Sequence, residues 1–215
     1  MKFFPLLQAN LFRSKKRTFL TVASVAMALF LFASLRTVVT TLANNSQFGS
    51  ARRLVVTNRT GFVIPLPVAY ANRIQALEGV ESVTWANWFG GQYGDGKKFF
   101  ASFAISAETY LAMYPEMEVP ADQRAAFLQD RSGALVGQGL LDEFGWQVGQ
   151  NVTLRGTIFP GDWTFTIRGV YTPKDKSIDN RSLMFHWEAL DEYLKSQGNG
   201  RNGIAGWYIV QITHR

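Results

Sequence analysis

Thr18–Leu35 reads TFLTVASVAMALFLFASL, a run without a single charged residue. At about 1.5 Å per residue these residues cover roughly 27 Å as a helix, close to the thickness of a bilayer's hydrocarbon core. No charged residue interrupts the run on any face, which sets it apart from the core helix of a soluble domain. Thr37–Ala43 can prolong the helix past Arg36, whose long side chain can reach back to the interface. Thr41-Leu42-Ala43 loosely resembles a signal-peptide cleavage site, so a cleaved leader is the competing reading. The long segment ahead of the run, and an apolar stretch beyond the usual ~7–15 residues, favour a retained anchor.

Charge is arranged around this span. Lys2, Arg13, Lys15, Lys16 and Arg17 precede it, and the first acidic residue of the chain is Glu78. The chain carries 22 Lys and Arg against 16 Asp and Glu, and five of those basic residues lie before Thr18. The net charge of +6 is therefore mostly N-terminal. Such a cluster suits an anionic membrane surface and places the N-terminus in the cytoplasm. Arg52 and Arg53, beyond the far end, temper that signal. Phe4, Leu7 and Leu11 share one helical face, so residues 2–13 are expected to lie along the interface as an amphipathic helix, with a frayed leader as the alternative. No basic face elsewhere suggests nucleic acid. The absence of cysteine excludes a disulfide framework, thiol catalysis and thiolate metal sites.

Past residue 43 the pattern turns to short strands and helices. Strands are expected at 53–57, 80–88, 99–105, 134–136, 152–155, 163–171, 182–186 and 206–213. Helices are expected at 67–77, with Tyr70, Ile74 and Leu77 on one face and Gly79 as its stop, at 107–113, 121–129 and 140–144, and at 187–195, with Leu190 and Leu194 on one face. Phe159-Pro160-Gly161-Asp162 makes a hairpin of the two strands that flank it. There is no regular βαβ repeat and no phosphate-binding turn, so the fold class is α+β with a mixed sheet.

The order of these signals resembles the N-terminal part of ABC-transporter permeases of the MacB/FtsX/LolC class. The residues that carry the resemblance are the opening Ala9-Asn10-Leu11-Phe12-Arg13-Ser14-Lys15-Lys16-Arg17-Thr18-Phe19-Leu20-Thr21, the helix–strand junction Ile74–Val83 (IQALEGVESV), Leu135-Val136-Gly137 with Phe144–Leu154 (FGWQVGQNVTL), and Phe165–Tyr171 (FTIRGVY). Gln150 stands where the family commonly has an acid. The resemblance implies a cytoplasmic amphipathic and basic segment at 1–17, a transmembrane helix at 18–43 and a periplasmic core domain of the MacB type at 44–215, with roughly 106–160 inserted as a second lobe. It implies a non-catalytic permease subunit in the bacterial inner membrane, without cofactor or metal. Such a subunit couples ATP hydrolysis by a separate cytoplasmic ABC ATPase to movement of the periplasmic domain, for export or extraction of a substrate. A permease homodimer or heterodimer, membrane lipid and a periplasmic adaptor or substrate protein are the implied partners. The family's further transmembrane helices are not in this sequence, so a fragment or a split gene product is expected. The alternative is a single-pass sensor or adaptor whose outer domain binds a ligand or protein.

Individual residues offer little chemistry. Gly91–Lys98 (GQYGDGKK) nearly matches the phosphate-binding pattern G-x-x-x-x-G-K-[ST], but Lys98 stands where a hydroxyl must meet magnesium. The loop also falls between two strands, so a hairpin tip is the expectation. His186 and His214 have no second ligand at metal spacing. Asp142-Glu143 and Asp191-Glu192 are sequence neighbours on helices, point to different faces and read as solvated surface. No Ser-centred elbow occurs. Trp85, Trp88, Phe89 and Tyr93 read as core packing with one exposed ring, or as a contact surface if all four are exposed. Asn44, Asn58, Asn151 and Asn180 begin glycosylation sequons, which a bacterial protein would not use.

Overall fold

Helix α1 spans Lys15–Asn45 without a glycine or proline. At about 1.5 Å per residue it is roughly 46 Å long. Two hydroxyls of α1 bond back onto the helix, Thr21 Oγ1 to Arg17 O (3.0 Å) and Thr37 Oγ1 to Ala33 O (2.9 Å). That back-bonding removes the penalty of a bare hydroxyl in an apolar stretch. Phe19, Leu20, Phe30 and Phe32 are all exposed. Among the described residues α1 is the one helix long and apolar enough to cross a membrane. The computed structural model describes residues 13–45, 52–61, 64–174, 178–198 and 200–213. The interfacial helix expected at residues 2–13 and His214 thus fall outside the described residues, apart from Arg13. Two units are distinct, Met1–Phe48 and Gly49–Arg215.

The second unit runs in the order β1 (Arg53–Val56), β2 (Leu66–Pro67), α2 (Tyr70–Gln75), β3 (Val80–Trp88), β4 (Gly91–Tyr93), β5 (Ala101–Ile105), α3 (Ala107–Met113), β6 (Met117–Glu118), α4 (Ala121–Gln129), β7 (Gly133–Gly137), α5 (Gln138–Phe144), β8 (Asn151–Gly156), β9 (Gly161–Pro173), β10 (Ser182–His186), α6 (Trp187–Ser196), β11 (Ile204–Ala205) and β12 (Trp207–Ile212). The main sheet has the order β1-β12-β3-β5-β10-β7-β9-β8-β4, with β6 paired to the end of β9. The β5–β10 and β7–β9 pairs are parallel and the others antiparallel, so the sheet is mixed, as the interspersed pattern predicts. The helix expected from Pro67 begins only at Tyr70. Leu66 and Pro67 instead pair with Ala205 and Ile204 as a small separate ribbon.

Only Phe89 and Gly90 separate β3 from β4, yet β4 pairs with β8 several strands away along the sheet. Two residues reach only about 7 Å. The sheet must therefore curl until its β8 edge returns to the end of β3. Phe89 is fully buried at this corner, against Phe159, Trp163, Phe165 and Phe185 at 5.1–6.3 Å between ring centroids. Gly90 adopts φ +69°, and a Cβ on Gly91 would meet the Phe89 ring and Leu154 Cδ1 at 2.8 and 2.9 Å. Alternation sends successive side chains of a strand into different clusters of the core, and a further cluster of Val83, Ala205, Tyr208 and Val210 lies under β3 and β12. Ala134 and Val136 of β7 face the Phe89 cluster under Leu140 and Leu190, whereas Leu135 faces a second cluster with Leu111, Phe127 and Tyr171.

Asp130 ties the turn before β7 to β9. Its Oδ1 accepts from Ser132 N (2.9 Å) and Oγ (2.7 Å), and its Oδ2 accepts from Arg168 Nε (2.7 Å). The Ser132 hydroxyl, then Arg168, hold its carboxyl below the usual carboxylate range. A carboxyl depressed by folding contributes stability above its unfolded pKa and loses it as pH falls through the folded value. Asp130→Asn is expected to flatten the acid limb of a stability-versus-pH curve while leaving the neutral-to-alkaline slope as it was. Phe89→Ala is expected to lower unfolding free energy by about 3–5 kcal/mol in denaturant melts; a loss under about 1 kcal/mol would mean the corner does not hold the sheet closed.

Candidate functional site: the edge strand and its fastenings

β1 is an edge strand, and its partner β12 is the last strand of the domain. Arg53 sits opposite Gln211 and Val56 opposite Tyr208. The pairing extends outward, with Ile212 N donating to Arg52 O (2.9 Å) and Arg52 Nε to Ile212 O (3.2 Å). Arg52 also pairs with Glu81 of β3 at 2.7 Å, and Thr213 N donates to Gly79 O (2.9 Å). The first and the last strand described in this unit are thus side by side. Exposed ion pairs contribute little, so the backbone ladder carries this edge.

Arg53 supplies a second fastening. Its side chain is only 6% exposed and pairs with Glu116, which lies between α3 and β6. Its guanidinium lies 4.5 Å from the Tyr114 ring centroid, and Tyr114 packs on Tyr110 at 4.6 Å. Burial pushes both phenols up, Tyr110 well above its ordinary value. Glu116 O accepts from Lys174 N (2.9 Å), so the same short segment is bound to the end of β9. Glu116 Oε2 is buried, and among the described residues nothing hydrogen-bonds to it. One arginine at the start of β1 therefore joins the edge strand to the α3–β6 connection. A planar guanidinium suits this double role of ion pair and ring stacking, which lysine could not reproduce. Sequence reading weighed Arg53 only as a charge near the membrane. Its partner is 63 residues away, and no local pattern points to it.

The sequence candidates are dispersed. Gly91–Tyr93 are β4 itself and the residues after them lead to β5, but β4 pairs with β8 and β5 with β3 and β10. The stretch is thus a link between strands that do not pair with each other, and not the hairpin tip expected. Gly96 N donates to Tyr93 O (3.1 Å), Lys97 Nζ lies 2.9 Å from Asp95 Oδ2, and Lys98 Nζ lies 3.5 Å from Glu143 Oε1. His186 is buried, with Nε2 2.7 Å from Phe127 O and its ring on the Phe127 ring, a packing role. Glu192 is exposed beside Arg131, in keeping with a solvated face. Asp191 is not: it is buried, accepts from Gly203 N (2.5 Å) and holds Lys195 at 2.6 Å. It anchors the Gly203 backbone to α6. Glu143 is half-buried between Lys98 and Arg181. Of the four aromatics, Phe89 is buried, Trp85 and Tyr93 are half-buried, and Trp88 is 36% exposed against Phe99 and Phe103. Asn58 Oδ1 caps a turn by accepting from Thr60 N (3.0 Å), and Asn151 Oδ1 accepts from Thr166 Oγ1 (2.8 Å).

Residues 18–213 match the family model of the MacB-like periplasmic core domain. No curated protein matches the chain significantly. Among solved structures, the periplasmic region of MacB from Actinobacillus actinomycetemcomitans aligns with TM-score 0.52 at 14% identity, over 78% of this chain and 77% of that one. A domain of a protein described as a permease, from Porphyromonas gingivalis, aligns with TM-score 0.50 at 23% identity, over 75% of each chain. At these identities the structural likeness is one of fold.

Arg53→Met would strand the Glu116 carboxylate in a half-dry site. Breaking a buried pair costs about 3–5 kcal/mol, and the partial exposure of Glu116 reduces this to about 2 kcal/mol. The double variant Arg53→Met/Glu116→Gln is expected to recover at least half of that loss in thermal melts of the full chain. Equal stability of all three proteins would show that the pair fastens nothing.

Proposed function

We propose that this chain, which belongs to the family of MacB-like periplasmic core domains found in ABC-transporter permeases, couples ATP hydrolysis by a cytoplasmic ABC ATPase to movement of its outer domain. In this reading residues 1–17 lie at the cytoplasmic face, 18–43 cross the bacterial inner membrane and 44–215 form the periplasmic domain. The chain works in a permease dimer and has no reaction centre of its own. Its substrate is exported or extracted by the motion, with an adaptor or substrate protein meeting the domain outside.

The observation that carries the reading is the double fastening of β1. A first strand that is paired along β12, and is latched by Arg53 to a third segment, passes a displacement to the whole sheet rather than to a loose end. Rigid-body motion needs such a joint, because packed domains move as units about a few connecting residues. The family membership supplies the context in which that motion is driven.

The pairing of Arg53 with Gln211 also provides the test, since a short Gly-Ser linker can replace the domain without moving its neighbours. The protein as its gene encodes it is purified with its ATPase, and substrate-stimulated ATP hydrolysis is compared with and without residues 53–211. Loss of stimulation, with basal hydrolysis and complex formation retained, is the expected result. Undiminished stimulation without the domain would end the coupling reading.

A further inference from the structure

β1 ends the strand order of the main sheet, so it pairs on one side only. The ladder fixes which groups lie on its other side. Antiparallel strands alternate between facing residues that exchange both hydrogen bonds and facing residues that exchange neither. Ile212 N donates to Arg52 O, and Arg53 and Leu54 stand opposite Gln211 and Val210. Arg52, Leu54 and Val56 therefore bond to β12, whereas Arg53 and Val55 turn their N–H and C=O outward. Among the described residues no main-chain group takes these up.

Sheet edges are commonly guarded by an outward lysine, a proline or a bulge. β1 carries none of these. Its register with β12 is unbroken, and its one charge, Arg53, is folded inward onto Glu116. Leu54 and Val55 are 49% and 61% exposed. A free edge of this kind takes up another strand, with main-chain hydrogen bonds giving the affinity.

We infer that the strand is β1 of a second copy, paired antiparallel about a two-fold axis at Val55. The inference rests on the permease-dimer reading above. A two-fold seam must complement itself, and this register does. Val55 meets Val55, Leu54 meets Val56 of the other copy, Arg53 meets Thr57 and Arg52 meets Asn58. No like charges face each other, and every outward group of Arg53 and Val55 finds a partner. An axis at Arg53 would instead set two arginines face to face, which is destabilising. An axis at Leu54 would leave Thr57 outside the seam. Four or five paired residues fall well short of the roughly 1,200 Å² buried in a stable interface. The seam therefore forms between copies already held in one membrane, where anchoring raises their effective concentration. β1 starts at Arg53, soon after α1 ends at Asn45.

The test is disulfide trapping in membranes, with the protein as its gene encodes it and its ATPase, with and without ATP. This chain has no native cysteine to interfere. In the proposed register the two Val55 Cα atoms lie about 5.5 Å apart, within disulfide reach. The two Leu54 residues are diagonal neighbours at about 7–8 Å, beyond it. Val55→Cys is expected to give a reducible dimer of twice the chain mass, and Leu54→Cys little. Leu77→Cys, at a position equally exposed at 61%, controls for random collision and is expected to give little too. The double variant Leu54→Cys/Val56→Cys is expected to cross-link, since those positions face each other. Adding Val55→Pro to it removes the outward N–H but no bond to β12, and is expected to cut the yield at least about fivefold without lowering the melting temperature. Equal yields from Val55→Cys, Leu54→Cys and Leu77→Cys, or a Val55→Cys adduct with a different protein, would overturn the proposal. No disulfide in either nucleotide state, with light scattering still showing a dimer, would overturn the seam and leave the dimer standing. A monomer by light scattering would end both.

Discussion

Two residues, Phe89 and Gly90, span the gap between β3 and the far edge of the sheet. Everything else in the outer domain is arranged around that short reach. Because β4 must find β8 within so few bonds, the sheet cannot lie open. Its inner face closes on Phe89, whose ring meets aromatic partners from the β8–β9 turn, β9 and β10. The glycines at 90 and 91 are part of the same constraint. One takes a positive φ, and the other leaves room that a Cβ would take from the Phe89 ring. A closed sheet with packed hydrophobic clusters on its faces resists bending, since close-packed interiors transmit strain rather than absorb it.

A stiff body is useful only if it is held firmly where the chain enters. The β1–β12 ladder and the buried Arg53–Glu116 pair provide that hold at one edge. The buried pair adds definition more than net stability, since desolvation offsets much of its attraction. Its value in this account is that β1 cannot slide along β12 without breaking a contact to the α3–β6 segment. Membership of the MacB-like periplasmic core domain family fits a body of this kind attached to a membrane helix.

Much of this was legible in the sequence where the pattern is local. The uninterrupted Thr18–Leu35 run became the exposed apolar helix, and Val80–Trp88, Ser182–His186 and the adjoining helix from Trp187 were read almost residue for residue. The reason is that alternation and helical period are short-range signals. The two-residue strands β2, β6 and β11, and three-residue β4, carry too few positions for any period to show. Asp191 was read as solvated surface because its helix pattern gives no hint of the Gly203 backbone that folds over it. Arg53 and Glu116 are far apart in the chain. Each of these depends on which distant segments the closed sheet brings together.

The claim that the outer domain moves as one body can be measured directly, because the chain has no cysteine of its own. Cysteines introduced at the exposed Ala76 and Asp122 carry spin labels in the protein assembled with its ATPase. Electron–electron dipolar distances are then taken with and without ATP, between the two sites in one copy and between Asp122 sites of two copies. The account predicts that the distance within the domain stays constant while the distance between copies changes with nucleotide. A nucleotide-dependent change within the domain, or none anywhere, would contradict it.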